Sequence, residues 1–252
     1  MNYKNASSFL FFLLASHGFA APKADLAGQA DFEEFRDRLP WIWQSPRQVE
    51  PPKVKDSAWP TDAVDRFVLR KLEAEKLKPA GPANDRVWMR RVYFAITGLP
   101  PKPEDIQTFL NDTSKNRKRT LVRALLDSPH YGERWARHWM DLVRYAESRG
   151  HEGDSIVPNA YRYRDYLIRA FNADLPYDAL ITEHLAGDLL ENPRLHPETG
   201  ANESILATGW PFFGEMLEAP VDLRKDECDR LDNKVDVMSK TFLGLTVACA
   251  RC

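Results

Sequence analysis

The chain has 252 residues, 43% hydrophobic and 29% charged, enough to build one large or two small soluble domains with a real core. Its formal charge of −2, with acids and bases interspersed, excludes a basic surface for nucleic acid. Three cysteines are too few for a disulfide framework.

Residues 1–20 read as a secretory signal peptide. Lys4 gives a short positive region, Phe9 to Ala15 is apolar, and Gly18-Phe19-Ala20 places small residues for cleavage before Ala21. The apolar run is too short to span about 30 Å of hydrocarbon, so no transmembrane segment is expected after cleavage. The mature protein is therefore expected to be exported, to the periplasm or the extracellular space. Residues 21–60 carry Pro40, Pro46, Pro51, Pro52 and Pro60 and lack a sustained period. Proline fixes φ and removes a donor, which predicts an extended segment. Trp41, Trp43 and Trp59 are expected to pin that segment by burying their rings.

From residue 61 to 252 the pattern predicts one helical domain. Val64, Phe67, Val68 and Leu72 form a stripe behind an N-cap at Thr61 or Asp62. Asn84 caps a second helix carrying Val87, Trp88, Val92, Ala95 and Ile96, ended by Gly98 and Pro100-Pro101. A short helix after Pro103 turns Ile106, Phe109 and Leu110 inward, and a fourth carries Leu121, Val122, Leu125 and Leu126.

A fifth helix is expected from about Tyr131 to Ser148, with Trp135, Trp139, Leu142, Val143 and Ala146 on one face. Beside that face run Arg134, His138, Asp141 and Tyr145, spaced so that neighbours touch. An Asp three residues after a His can orient and charge it, which marks these four as a second candidate site; the blander alternative is a buried structural network. The loop Glu147 to Asp154 holds two glycines and three carboxylates, which could bind a cation, although its spacing is not that of an EF-hand. A sixth helix alternates Tyr161, Tyr163, Tyr166, Leu167, Ile168 and Phe171 with Arg162, Arg164 and Arg169. Its aromatics are read as inward and its arginines as snorkelling outward. A seventh runs from Tyr177 to Ala186, and Asn192 to Asn202 is a loop. A last helix from Asp222 to Leu243 places Leu223, Leu231, Val235, Met238, Phe242 and Leu245 on a stripe, ended by Gly244. No strand-like alternation occurs, so the fold class is all-α.

Just beyond that helix stand Cys249 and Cys252, with Cys228 expected to be free and partly buried. A C-x-x-C pair can hold a metal, form a redox disulfide or attach haem. A structural zinc needs four ligands, which one pair does not supply, and no metal ligands are assigned.

The motifs Ala63-Val-Asp-Arg-Phe-Val-Leu69, Thr97-Gly-Leu-Pro-Pro101, Tyr131-Gly-Glu-Arg-Trp-Ala-Arg-His-Trp139, Asn159-Ala-Tyr-Arg-Tyr-Arg-Asp-Tyr166, Ala186-Gly-Asp188 and Phe242 to Cys252 occur together over about residues 41–252. On these the chain resembles the planctomycete cytochrome c-associated domain of unknown function 1549. The resemblance implies export and a neighbouring cytochrome c domain. It also implies a His-Asp-His-Lys continuation after the cysteine pair, which makes Cys249 and Cys252 attachment points for haem c. As the chain stops at Cys252, before that histidine and the family's downstream domain, it is expected to be a fragment.

Three functions follow. The first is a c-type haem-associated redox protein with a cytochrome c-type partner. The second is a polysaccharide-binding or polysaccharide-processing domain using aromatics and the carboxylates Asp141, Glu147, Glu152 and Asp154; a glycosidase needs two carboxyls about 5 to 10 Å apart. The third is a structural module that docks the downstream domain. No reaction is fixed.

Overall fold

The structure, a computed structural model, describes residues 38–40, 44–151, 153–217 and 219–247. These residues form helices and two isolated bridges, with no strand among them, so the chain is all-α. The chain divides between Ala80 and Gly81 into two compact units.

The first unit contains helix α1 (Ala63–Ala74), where the Asp62 carboxylate accepts from the Asp65 N–H as N-cap. Its buried side chain is Leu69, whereas Val64, Phe67 and Val68 of the expected stripe are exposed. Residues 44–60 form no regular element. Glu73 holds them by accepting from the Lys55 N–H at 2.9 Å and the Asp56 N–H at 3.1 Å. Trp59 is exposed rather than buried, and Trp41 and Trp43 lie outside the described residues.

The second unit begins with three short helices: α2 (Asp85–Ile96), α3 (Pro103–Asn111) and α4 (Arg117–Leu126). Asn84 caps α2 and Gly98 follows it at φ 73, where a side chain would be strained. Met89, Phe109 and Leu125 are buried, and Trp88 stacks on Phe109 at 5.6 Å.

Helices α5 (Pro129–Leu142) and α6 (Ala160–Asn172) make the most extensive helix–helix contact, and the aromatic core is built on it. Gly132 permits the close crossing, since a Cβ there would lie 2.4 Å from the Ile168 carbonyl oxygen. Asn172 clamps the same point: its side-chain oxygen accepts from the Gly132 N–H at 2.8 Å, and its amide donates to the Pro129 carbonyl at 3.2 Å. Helix α5 ends at Leu142, six residues before the expected Ser148. Arg144 turns left-handed at φ 57, and the Tyr145 N–H reaches back to the Met140 carbonyl at 2.9 Å. This is a Schellman end with arginine where glycine usually stands. Of the predicted face of α5, Trp139 and Val143 are buried, while Trp135 and Leu142 are exposed.

Helix α7 (Tyr177–Ala186) and the single-turn helix α8 (Ser204–Ala207) pack together across the loop 192–202. Gly187 makes that approach possible, as a Cβ there would sit 2.1 Å from the Ser204 carbonyl oxygen. A 3₁₀ turn, Trp210–Phe212, leads towards α9 (Leu223–Met238). Helix α9 widens into a π-turn over Ser239–Leu243 and ends at Gly244, φ 65. The stripe expected over this helix is only half borne out: Leu223, Leu231, Val235 and Met238 are exposed and Val237 is buried in their place, whereas Phe242 packs against the core and Leu245 is partly buried. Cys228 is free but exposed rather than partly buried. No helix among the described residues is long and apolar enough to cross a membrane.

Candidate functional site

Helix α7 carries two polar residues, Glu183 and His184, into the interior. They share its inward face with Leu180, while Tyr177 and Leu185 of the same helix are exposed. Each polar atom there needs a partner, because an unpaired one costs about 1–3 kcal/mol.

His184 is 2% exposed and sits among Trp139, Tyr163, Tyr166 and Phe242, with ring centroids 5.1 to 6.0 Å away. Its Nδ1 lies 2.7 Å from the Leu180 carbonyl, which only a protonated nitrogen satisfies. Nε2 is then the acceptor, taking the Trp139 indole N–H at 2.9 Å and the Tyr163 hydroxyl at 2.8 Å. Burial lowers the imidazole pKa to about 4, against smaller upward pulls from the Leu180 carbonyl and Glu183. Burial likewise pushes the Tyr163 hydroxyl far above its ordinary range, so it stays a donor. The Trp210 indole closes the cage by donating to the His184 carbonyl at 3.1 Å.

Beside this cage lies an ionic network. Arg194 donates to both Glu183 oxygens, at 3.2 and 3.1 Å, and to Glu203 at 2.7 Å. Tyr166 donates to Glu183 at 2.6 Å, Ser204 donates to it at 2.8 Å, and Arg169 pairs with Glu203. Burial pushes the Glu183 carboxyl up, but the bonds from Arg194, Tyr166 and Ser204 outweigh it and hold the group below its usual range. Both glutamates are tied up in ion pairs with Arg169 and Arg194, and His184 has both nitrogens committed. The buried cluster thus ties together α5, α6, α7, α8, the 3₁₀ turn and the π-turn, as a keystone rather than a reacting centre.

Several clefts open to solvent in this unit, and two lie near the buried cluster. One, of about 470 Å³, lies between the 149–151 loop, the 211–217 segment and α9. The other, of about 420 Å³, lies between α6 and the 196–206 segment, with Arg169 and Glu203 in its wall.

Residues 63–252 match the family described as PSCyt2, a protein of unknown function (DUF1549). The chain belongs to this family. Comparison with curated proteins and with solved structures finds no match.

Within the DUF1549 segment the four residues read as a second site do not assemble. His138 and Asp141 are both exposed; the His138 ring lies against Trp135 at 5.5 Å, and Asp141 pairs with Arg137 at 3.3 Å. Tyr145, beyond the end of α5, donates to Glu147 at 2.8 Å, and the buried Arg134 Nε has no hydrogen-bond partner among the described residues. The left-handed Arg144 takes Tyr145 off the helix, while Arg134, His138 and Asp141 keep their register on α5.

Among the carboxylates of the loop, Glu147 is engaged by Tyr145 and Arg164, and Asp154 accepts from the Gly150 N–H at 2.9 Å. Glu152 lies outside the described residues, as do Cys249 and Cys252. No group of three or more His, Cys, Asp or Glu that could hold a metal ion occurs among the described residues. Sequence reasoning overlooked Glu183, His184, Arg194 and Glu203. The available signal was Leu180, Glu183, His184 and Gly187, which recur at helical spacing and so share the inward face of α7.

Proposed function

We propose that this chain is the helical body of an exported, c-type haem-associated redox protein in which Cys249 and Cys252 are the thioether attachment points. The observation that carries this reading is the seating of the segment before the pair. Phe242 packs on Trp139, His184 and Trp210 at 6.1, 6.0 and 5.7 Å, and Thr241 donates to the Leu142 carbonyl at 3.1 Å. The π-turn thus anchors the chain in the core a few residues before Cys249, and the family's printed name, PSCyt2, accords with a cytochrome association.

The donor set fits covalent attachment. Two thiols stand three positions apart in one short segment, whereas Cys228 is exposed on α9. His184 does not fit as an axial ligand, because both ring nitrogens are engaged within the protein. Haem c would supply one-electron transfer, with a cytochrome c-type protein as the partner. The chain's own contribution would be the two thiols and the aromatic core that anchors the segment before them.

Expression with a cytochrome c maturation system, in a chain continued through His-Asp-His-Lys after Cys252, tests this. A covalent adduct that survives denaturing electrophoresis and stains for peroxidase activity is expected. Cys249→Ser or Cys252→Ser should abolish or weaken the stain and Cys228→Ser should leave it intact. Absence of both stain and Soret absorbance from the extended chain would remove the reading.

A further inference from the structure

The cleft between α6 and the 196–206 segment has a donor pattern that neither the fold nor the haem reading uses. Tyr161, Arg162, Asp165 and Arg169 line it from α6, one residue or one turn apart, and His196 and Asn202 line it from the opposite side. The Arg162 side chain has no hydrogen-bond partner among the described residues. Arg169 commits its Nε to Glu203, and its two terminal nitrogens have no partner among those residues. The Glu203 side chain is fully buried and is also held by Arg194, so the Arg169 guanidinium is fixed in orientation with its outer edge unused. His196 is fixed as well: its Nδ1 accepts from the Glu198 and Thr199 N–H groups at 3.2 and 3.3 Å, so its Nε2 carries a proton to donate.

Unused guanidinium edges beside an N–H donor match the oxygens of an anion, and arginine's planar fork suits carboxylate or sulfate. The charge balance decides which kind. Arg162, Arg164, Arg169 and Arg194 stand against Glu147, Asp165, Glu183 and Glu203, with Asp165 and Glu147 both taken by Arg164. These charges cancel, so affinity comes from directed donors rather than from a positive field, which suits a monoanion over a doubly charged phosphate. The remaining lining gives the carrier. Tyr161 is 45% exposed, and Ile205 and Leu206 add apolar surface, a combination that takes the face of a sugar ring while polar groups hold its substituents. A volume of about 420 Å³ lies within the range of small-ligand sites.

We infer that this cleft binds an acidic saccharide, with Arg162, Arg169 and His196 holding a single anionic group, either a uronate carboxylate or a sulfate ester, and Tyr161 stacking on the sugar ring. The site does not depend on haem attachment.

Calorimetric titration of the whole chain with a glucuronate disaccharide, glucose 6-sulfate, cellobiose and sodium sulfate tests it. At least one acidic sugar should bind, and which of the two binds identifies the anionic group. Cellobiose should give no saturable heat, and sodium sulfate should bind at least about tenfold more weakly than the sugar. Arg162→Gln, at an exposed position without bonds to the fold, should keep the melting temperature and weaken binding about tenfold. Tyr161→Ala should weaken the sugar without changing the weak binding of sulfate ion. Failure of both acidic sugars to bind, equal binding of cellobiose, or unchanged affinity in Arg162→Gln overturns the site. Sodium sulfate binding as tightly as the sugar overturns the saccharide.

Discussion

His184 shows how one side chain can set the acid limit of a helical protein. Its pKa of about 4 lies below the ordinary 6.5, so the fold favours the neutral ring. Above pH 6.5 this contribution is fully present. Between 6.5 and 4 the unfolded chain takes up a proton that the folded chain refuses, and stability falls by at most about 1.4 kcal/mol per pH unit, roughly 3 kcal/mol over the interval. Glu183, held below its ordinary pKa, adds loss of the same sign at still lower pH. Urea denaturation between pH 7.5 and pH 5 should therefore show a steep decline in the parent. His184→Gln should be less stable at pH 7.5, because the Trp139 and Tyr163 donors lose their geometry, and its decline should be flatter by about 1 kcal/mol per unit. An unchanged slope in the variant would show that the titration lies elsewhere.

Helix ends explain most of what the sequence concealed. Helix α7 and the cap of α2 were legible because Gly187, Asn84 and Gly98 mark them. The end of α5 was not, because Arg144 occupies the left-handed position without being glycine. The same geometry recurs after α6, where Asp174 has φ 49 and the Leu175 N–H bonds to the Ala170 carbonyl at 3.0 Å, and after α1, where Lys76 has φ 57. Residue-type signals cannot register a turn that neighbouring contacts impose. That miss moved Tyr145 off the helix; His138 and Asp141 stay on α5, where Asp141 pairs with Arg137 and the His138 ring lies against Trp135 instead. Likewise, the stripe expected on α9 was right only at its end: Phe242 packs on the core, but along the helix Val237 faces inward while Leu223, Leu231, Val235 and Met238 face water. A non-glycine residue in the left-handed region costs about 1 kcal/mol. Asp174, which is exposed, should therefore respond to Asp174→Gly with a gain of about 0.5 to 1 kcal/mol, seen as a rise in melting temperature of a few degrees. A fall instead would mean that the Asp174 side chain contributes to the turn.

For the whole molecule, the all-α class was legible from the absence of alternation and from punctuation by proline and glycine. The central cluster was not, since four residues distant in sequence, Arg169, Glu183, Arg194 and Glu203, meet only in the folded chain. Export belongs to this scale too, because it concerns the chain as delivered. Expression with its own N-terminus in a host that secretes, followed by N-terminal sequencing of the mature protein, should give a start at Ala21 or close to it. Recovery of the intact Met1 form from the cytoplasm would sink the expectation.

The wedge formed by Phe242 bears on the order in which the protein is made. Trp139 and Tyr163 are translated early and are brought together by the contact of α5 with α6, yet the ring that completes their enclosure emerges about a hundred residues after Trp139. A chain synthesised past Ala207 but not to Phe242 would lack the ring that packs on Trp139, His184 and Trp210. Such a chain is a natural client for a holdase, and its release should coincide with the emergence of the π-turn rather than with any earlier helix.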